Sequence, residues 1–195
     1  MRRFLAILAA IALVAIVLGS SHSVRAQEAT PQASPSTDPH TYDDPAMHFE
    51  APKEYFLVER RVISPDDLGD PQIVAMWVKN PGRQDLRTLT ISVEQYNGNV
   101  DQYETSVEND VRAKIDGAII ANKTRTTTPN GMPAYFMSIT SGSGFDGQKQ
   151  FELVWSDGLR GVSIVVAGRL GDLKEAEART AVGNVSAVRY PIGRL

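Results

Sequence analysis

From about residue 42 to residue 170, apolar and polar positions alternate mostly with a period of two. In two later windows the period lengthens to that of a helix. A period of two places alternate side chains on one face of a strand, so one face is buried and the other wet. In "AMHFEAP", Met47, Phe49 and Ala51 alternate with His48 and Glu50, which fall on the solvent side. "EYFLVERRVI" alternates again, with Phe56, Val58 and then Arg60 on one side. "SPDDLGDP", residues 64–71, is dense in Pro, Gly and Asp and reads as a loop. "IVAMWVKN" and "LTISVEQY" are two further strands. Pro81-Gly82 between them marks a turn, so the pair is predicted to be a hairpin. From Asn99 to Ile115 the apolar residues are Val100, Tyr103, Val107, Val111 and Ile115, one stripe of an amphipathic helix. Asn99 with Gln102 forms a capping-box pattern, and Gly117 supplies a stop.

Strands then resume. "AIIANKTRTTT" and "AYFMSIT" flank the Asn130-Gly131 turn. "QKQFELVW" buries Phe151, Leu153 and Trp155, and Asp157-Gly158 turns the chain into "LRGVSIVVAG". A last helix is predicted from Leu173 to Val188, capped by Asp172, with Pro191 beyond its end. Strands, helix, strands, helix, with short hairpin links, make an α+β domain: a mainly antiparallel β-sheet covered by two amphipathic helices.

The ends change the picture. Residues 1–26 begin with Arg2-Arg3, run apolar from Phe4 to Leu18, and finish Val24-Arg25-Ala26. That is the grammar of a secretory signal cleaved after Ala26. The apolar run falls short of the roughly 20 residues of a spanning helix, although an uncleaved N-terminal membrane anchor is the alternative. Residues 27–41 are rich in Pro, Ser and Thr and read as a flexible linker, leaving 42–195 as a single domain. The signal holds three Arg and no acid. Removing it leaves 17 basic and 23 acidic side chains, a net charge of −6. That balance disfavours nucleic acid and anionic membranes as partners. The protein is expected to be secreted or periplasmic, with another envelope protein as partner and no stable membrane insertion once the signal is removed.

Several chemistries are missing from the sequence. Without Cys there is no disulfide, no thiol nucleophile and no Cys-ligated metal. Of the three His, His22 leaves with the signal, His40 lies in the linker and His48 opens the domain. No P-loop, dinucleotide fingerprint or nucleophile elbow is present, so no catalytic residue and no cofactor is assigned. The stretch "HTYDDPAMHFE" raises a metal reading through Asp43, Asp44, His48 and Glu50. The plainer reading is turn chemistry followed by an exposed strand face. Asp66, Asp67 and Asp70 raise calcium but lack EF-hand spacing. Trp77 and Tyr96 are the candidate interaction surface, with the loops at 64–71 and 141–148.

The segments "YDDPAMHFEAPKEYFLV", "NGMPAYFMSIT", "KQFELVWSDGLRGVSIVVAG" and the closing "VSAVRYP" together resemble the PsbP-like family. That family includes extrinsic photosystem II proteins and the Ran-binding Mog proteins. The resemblance spans residues 42–191, and Tyr55 stands where that family's pattern leads one to expect Trp. It implies an α-β-α sandwich and a role in binding or assembly without catalysis, and it names no partner. The reading from sequence is an exported, non-catalytic binding or assembly factor of the cell envelope. The alternatives are a small-ligand or metal-ion binding protein using a pocket between sheet and helix, and an envelope hydrolase with carboxylate chemistry.

Overall fold

The computed structural model describes residues 37–144 and 147–189, and the export signal expected at residues 1–26 lies outside them. The chain forms β1 (Thr41–Asp44), β2 (Met47–Glu50) and β3 (Phe56–Arg60), then β4 (Gln72–Lys79) and β5 (Arg87–Gln95). There follow α1 (Val100–Lys114), β6 (Ile119–Thr127), β7 (Pro133–Ser141), β8 (Gln148–Ser156), β9 (Arg160–Arg169), α2 (Glu175–Gly183) and β10 (Val185–Ala187). A seven-stranded sheet runs β3-β4-β5-β9-β8-β7-β6, and a three-stranded sheet runs β1-β2-β10. Every pairing is antiparallel, so this is an α+β protein built mainly on antiparallel sheet.

The two faces of the large sheet are covered differently. Leu89, Ile91, Phe151, Leu153, Trp155, Val162 and Ile164 alternate onto one face. There they join Phe49 and Met47 of the small sheet and Ala178, Ala181 and Val182 of α2 in one cluster. On the opposite face Met137, Ile139 and Val154 pack under Tyr103 and Val111 of α1. The covering is therefore shared between the helices and the small sheet. α1 starts where its sequence predicts: Gln102 N donates to Asn99 Oδ1 at 2.9 Å and Asn99 N to Gln102 Oε1 at 3.2 Å. Asn99 is the N-cap and Ile115 the C-cap, while Gly117, at φ +66°, sits in the turn beyond.

Arg160, at the start of β9, ties the two sheets together. Its Nη1 and Nη2 grip Asp44 at 2.7 and 3.2 Å, and its Nε reaches Asp157 at 2.7 Å. The three side chains are at most 4% exposed. Burial opposes the guanidinium's charge, but the bonds and charges of Asp44 and Asp157 hold its pKa above the ordinary arginine value. Asp44 also accepts from the backbone of Ala46 and Met47, fixing the β1–β2 turn, and from Tyr42 Oη. Asp157 accepts from the backbone of Leu159 and Arg160, fixing the β8–β9 turn in which Gly158 takes φ +95°. Both carboxylates thus have their remaining lone pairs filled, the condition under which a buried ion pair is tolerated.

Four expectations are corrected. Phe56 and Val58 stand 61% and 55% exposed, because this edge strand alternates in the opposite phase, ahead of a register shift between Leu57 and Glu59. Tyr55 and Leu57 pack against the core instead. The last helix ends at Gly183, not Val188. Residues 185–187 pair with β2, and Asn130 clamps the Ala187 backbone with both ends of its amide. The linker does not run to residue 41: Pro39 O accepts from Trp77 Nε1 at 2.8 Å, and Asp38 and Thr41 carbonyls accept from Arg60. Asp43 and Asp44 close strand β1 rather than forming only a turn, though Asp44 caps the turn that follows.

Replacing Asp44 with Ala leaves the buried Arg160 short of its bidentate partner. We expect a loss of about 3–5 kcal/mol in chemical denaturation, the usual result of removing one member of a buried pair. A loss within experimental error would contradict the role given to this pair.

Candidate functional site

The helical step places Tyr103, Val107 and Val111 on the side of α1 that faces the sheet. Beneath them the antiparallel register puts Ser92 of β5 opposite Ser163 of β9, and Val165 of β9 opposite Glu152 of β8. Gly161 lets the helix come this close: a Cβ there would lie 2.1 Å from the Tyr103 ring. Between helix and sheet a cavity of about 50 Å³ remains. Ser92, Glu94, Gln150, Glu152 and Ser163 line it on the sheet side, with Val107, Val111 and Val165 as apolar walls. Pro71, Asp110 and Lys114 also line it, and the last two form an ion pair of 2.7 Å. A water needs roughly 10–15 Å³ of such space, so the cavity accepts a few water-sized groups and no large substrate.

Glu152 dominates the cleft. It is 5% exposed in the middle of a strand with both faces covered. Ser163 Oγ donates to one of its carboxyl oxygens. Burial pushes its pKa up to about 7, the Ser163 hydrogen bond opposes this, and the negative charge of Glu94 adds to it. Tyr103 is pushed well above the ordinary tyrosine value by burial, then by the charges of Glu94 and Glu152 and by its hydrogen bond to Glu94. The Tyr96 ring packs tilted, at 54°, against that of Tyr103, 4.8 Å between centroids. Elsewhere on α1, Lys123 of β6 bridges Glu104 and Glu108 at 3.0 and 2.8 Å.

The residues singled out from sequence are not gathered into this cleft. Asp43 and His48 face each other across β1 and β2 and pair at 2.5 Å on the surface, and Glu50 is exposed on the same strand face as His48. Asp44 points away from them into the buried ion pair with Arg160. Among the described residues no group of three or more His, Asp or Glu is placed to hold a metal ion. His40 is held by its backbone, its carbonyl accepting from Ala51 N at 2.7 Å. Trp77 is fully buried against Phe49, 5.5 Å away, so it is not an interaction anchor. Its neighbours on both sides are apolar because both faces of β4 are covered, which the alternation alone did not reveal. Tyr96 is half-buried beside the cleft.

Glu152 itself was missed, since "FELVW" reads as one apolar face with a polar residue on a wet face. Its signal lay in combining two readings: an amphipathic helix must cover that second face, and a carboxylate under a helix is buried.

No protein-family model and no curated protein sequence matches the chain. Among the solved structures that share its architecture are the following two. PsbP (CyanoP) from Synechocystis sp. PCC 6803 superposes with a TM-score of 0.52 and 13% identity, over 87% of this chain and 98% of that one. The fold resembles that of PsbP. LpqN, involved in cell envelope biogenesis of Mycobacterium tuberculosis, gives a TM-score of 0.52 and 11% identity, over 74% of this chain and 86% of its own. At such identities the PsbP-like likeness speaks for the fold alone.

The raised pKa makes stability depend on pH. The folded carboxyl of Glu152 titrates near 7 against 4.5 for the ordinary group, so the folded state binds the proton more tightly. Stability is greatest below about pH 4.5 for this group and falls as pH rises through 7, by about 3 kcal/mol. Glu152→Gln is expected to remove that slope and to unfold at higher denaturant than the parent at pH 8. An unchanged slope between pH 5 and 8 would contradict the burial of this charge.

Proposed function

We propose that the protein is an exported, non-catalytic binding protein of the cell envelope that receives a small group in the cleft under α1. The observation that carries this reading is Glu152: a carboxyl buried in mid-sheet at the wall of a small cavity, its pKa raised by that burial. A carboxyl whose pKa is perturbed by burial beside a shaped cavity marks a candidate binding site. Export rests on the n-, h- and c-region pattern of residues 1–26. None of the described helices is long and apolar enough to cross a membrane. The link to envelope biogenesis in LpqN supports the compartment, and the two helices flanking the sheet support an α-β-α arrangement like that of PsbP. The small cavity favours binding over turnover of a substrate.

A second reading has its own observation. Phe56 and Val58 expose large apolar side chains on edge strand β3, which suits assembly on a protein partner. Bulges interrupt both edge strands, between Leu57 and Glu59 in β3 and between Ala121 and Thr124 in β6. Contact through side chains is therefore favoured over addition of a strand.

Nuclear magnetic resonance of the isotope-labelled protein, mixed separately with the small-molecule and protein fractions of a host envelope extract, distinguishes the two. Shifts centred on Tyr103, Val107 and Ser163 with the small-molecule fraction are expected. Shifts centred on Phe56 and Val58 with the protein fraction would favour the second reading, and none in either would contradict both. The same purified protein should begin at Gln27, and an intact Met1 would contradict cleavage of the signal.

A further inference from the structure

We propose that the protein has a second binding site, at the end of the large sheet where β4 turns into β5. It takes an oxyanion there, the phosphate or carboxylate end group of a small organic molecule. A cavity of about 210 Å³ lies at this end, against about 50 Å³ for the cleft under α1, and the two share no lining residue. The antiparallel register builds its floor. Thr88 of β5 pairs with Ala167 of β9, and Arg169, the last residue of β9, pairs with Gln148, the first of β8. Alternation along each strand turns these four side chains to one face of the sheet. The β4–β5 turn supplies Arg83, Gln84 and Leu86. That turn is fixed by its own bonds: Asn80 Nδ2 donates to Asp85 Oδ2 at 2.7 Å, and Arg83 N donates to Asn80 O at 3.2 Å. Arg83 is therefore presented by an ordered turn.

The chemistry of the lining points to an anion. Its two charged side chains are both guanidinium groups, Arg83 and Arg169, delivered by different elements, and among the described residues it holds no carboxylate. A guanidinium carries five N–H donors in a planar fork that matches the oxygens of a carboxylate or phosphate. Both groups have neighbours. Arg83 Nε lies 3.3 Å from Asp85, and Arg169 Nη1 donates to Gln84 Oε1 at 3.5 Å. The Arg83–Asp85 pair is 73% and 43% exposed, and an ion pair so open to water is weak enough to be shared with an incoming oxyanion. Thr88, only 6% exposed, adds a hydroxyl, and Gln84 and Gln148 add amide groups.

A third guanidinium stands behind the floor. Arg87, 5% exposed, packs against Gly168 so closely that a Cβ on that glycine would lie 2.9 Å from Arg87 Cδ. Its Nε makes no hydrogen bond, with Glu177 at 3.7 Å. A buried cation acts over a longer range than one in water, so it raises the potential of the pocket in front of it. Other ligands fit less well. A cation finds no carboxylate in the lining, and an apolar ligand finds only Leu86 and Ala167. A polyanion needs a row of cations, and this site offers two in front on a mature chain of net charge −6.

The test titrates the isotope-labelled protein with sodium phosphate, sodium acetate and sodium chloride at matched ionic strength. The resonances of Arg83 Nε–H, Gln84, Thr88 and Gly168 are followed. Phosphate or acetate is expected to shift them saturably, and chloride is not. The tighter of the two assigns the end group as phosphate or carboxylate. Arg83→Gln and Arg169→Gln are each expected to weaken binding about ten-fold, the usual loss of one charge-assisted contact. Arg112→Gln, an exposed arginine of α1, should leave it unchanged. Arg83 is exposed enough for its variant to keep the dispersed spectrum of a folded chain, so it decides the matter if Arg169→Gln disturbs the sheet. No shift with either oxyanion, an equal effect of chloride, or equal weakening by Arg83→Gln and Arg112→Gln would overturn the site. Each of these results leaves the cleft under α1 untouched, because its reporters are Tyr103, Val107 and Ser163.

Discussion

The arrangement depends on one buried cation held by two carboxylates. Arg160 sits where β9 leaves its turn, and its guanidinium spans from Asp157 in that turn to Asp44, 116 residues earlier in the chain. Each carboxylate also organises its own turn through backbone hydrogen bonds. The pair therefore fixes two hairpins and their separation together. A hydrophobic contact is non-directional and could not set that register. With the small sheet fixed, Phe49 is laid against Trp77, and β10 can pair with β2.

Fixing one face with the small sheet and α2 leaves α1 alone on the opposite face, and there the packing is of a different kind. One face is closed by large apolar side chains from three layers. The other has only five fully buried apolar residues in its cluster, with Ser92, Ser163, Glu94 and Glu152 alongside them under the helix. A carboxyl pushed toward neutrality by burial costs stability. Unlike Asp44 and Asp157, which are paired with Arg160, Glu152 forms no ion pair among the described residues, and it lies at the wall of a cavity, which marks this face as a candidate for something besides folding.

Much of this was legible from the pattern of residues. Period-two alternation identified the strands of the large sheet, Asp157-Gly158 the β8–β9 hairpin, and the Asn99–Gln102 box the start of α1. Each of these signals is local, set by turn chemistry or by one neighbouring element. What was not legible depends on distant partners. Val185 and Val188 keep a helical spacing with Leu173 and Ala181, and only the pairing of Val185 and Ala187 with Phe49 and Met47 makes the segment a strand. Asp44 reads like any turn aspartate until Arg160 arrives beside it. Phe56 and Val58 look like a buried face, because Tyr55 and Leu57 alternate with them and apolarity alone does not say which pair turns inward. The metal reading of Asp43, Asp44, His48 and Glu50 rested on closeness in sequence, whereas the fold turns Asp44 inward and the others outward.

The most direct measurement is the carbon-13 titration of the Glu152 side-chain carboxyl in the folded protein. A midpoint near 7 is predicted, as burial beneath α1 and the neighbouring Glu94 require. A midpoint at the ordinary value of 4.5 would mean that water reaches this carboxyl freely, and the cleft under α1 would then be neither a closed cavity nor a binding site.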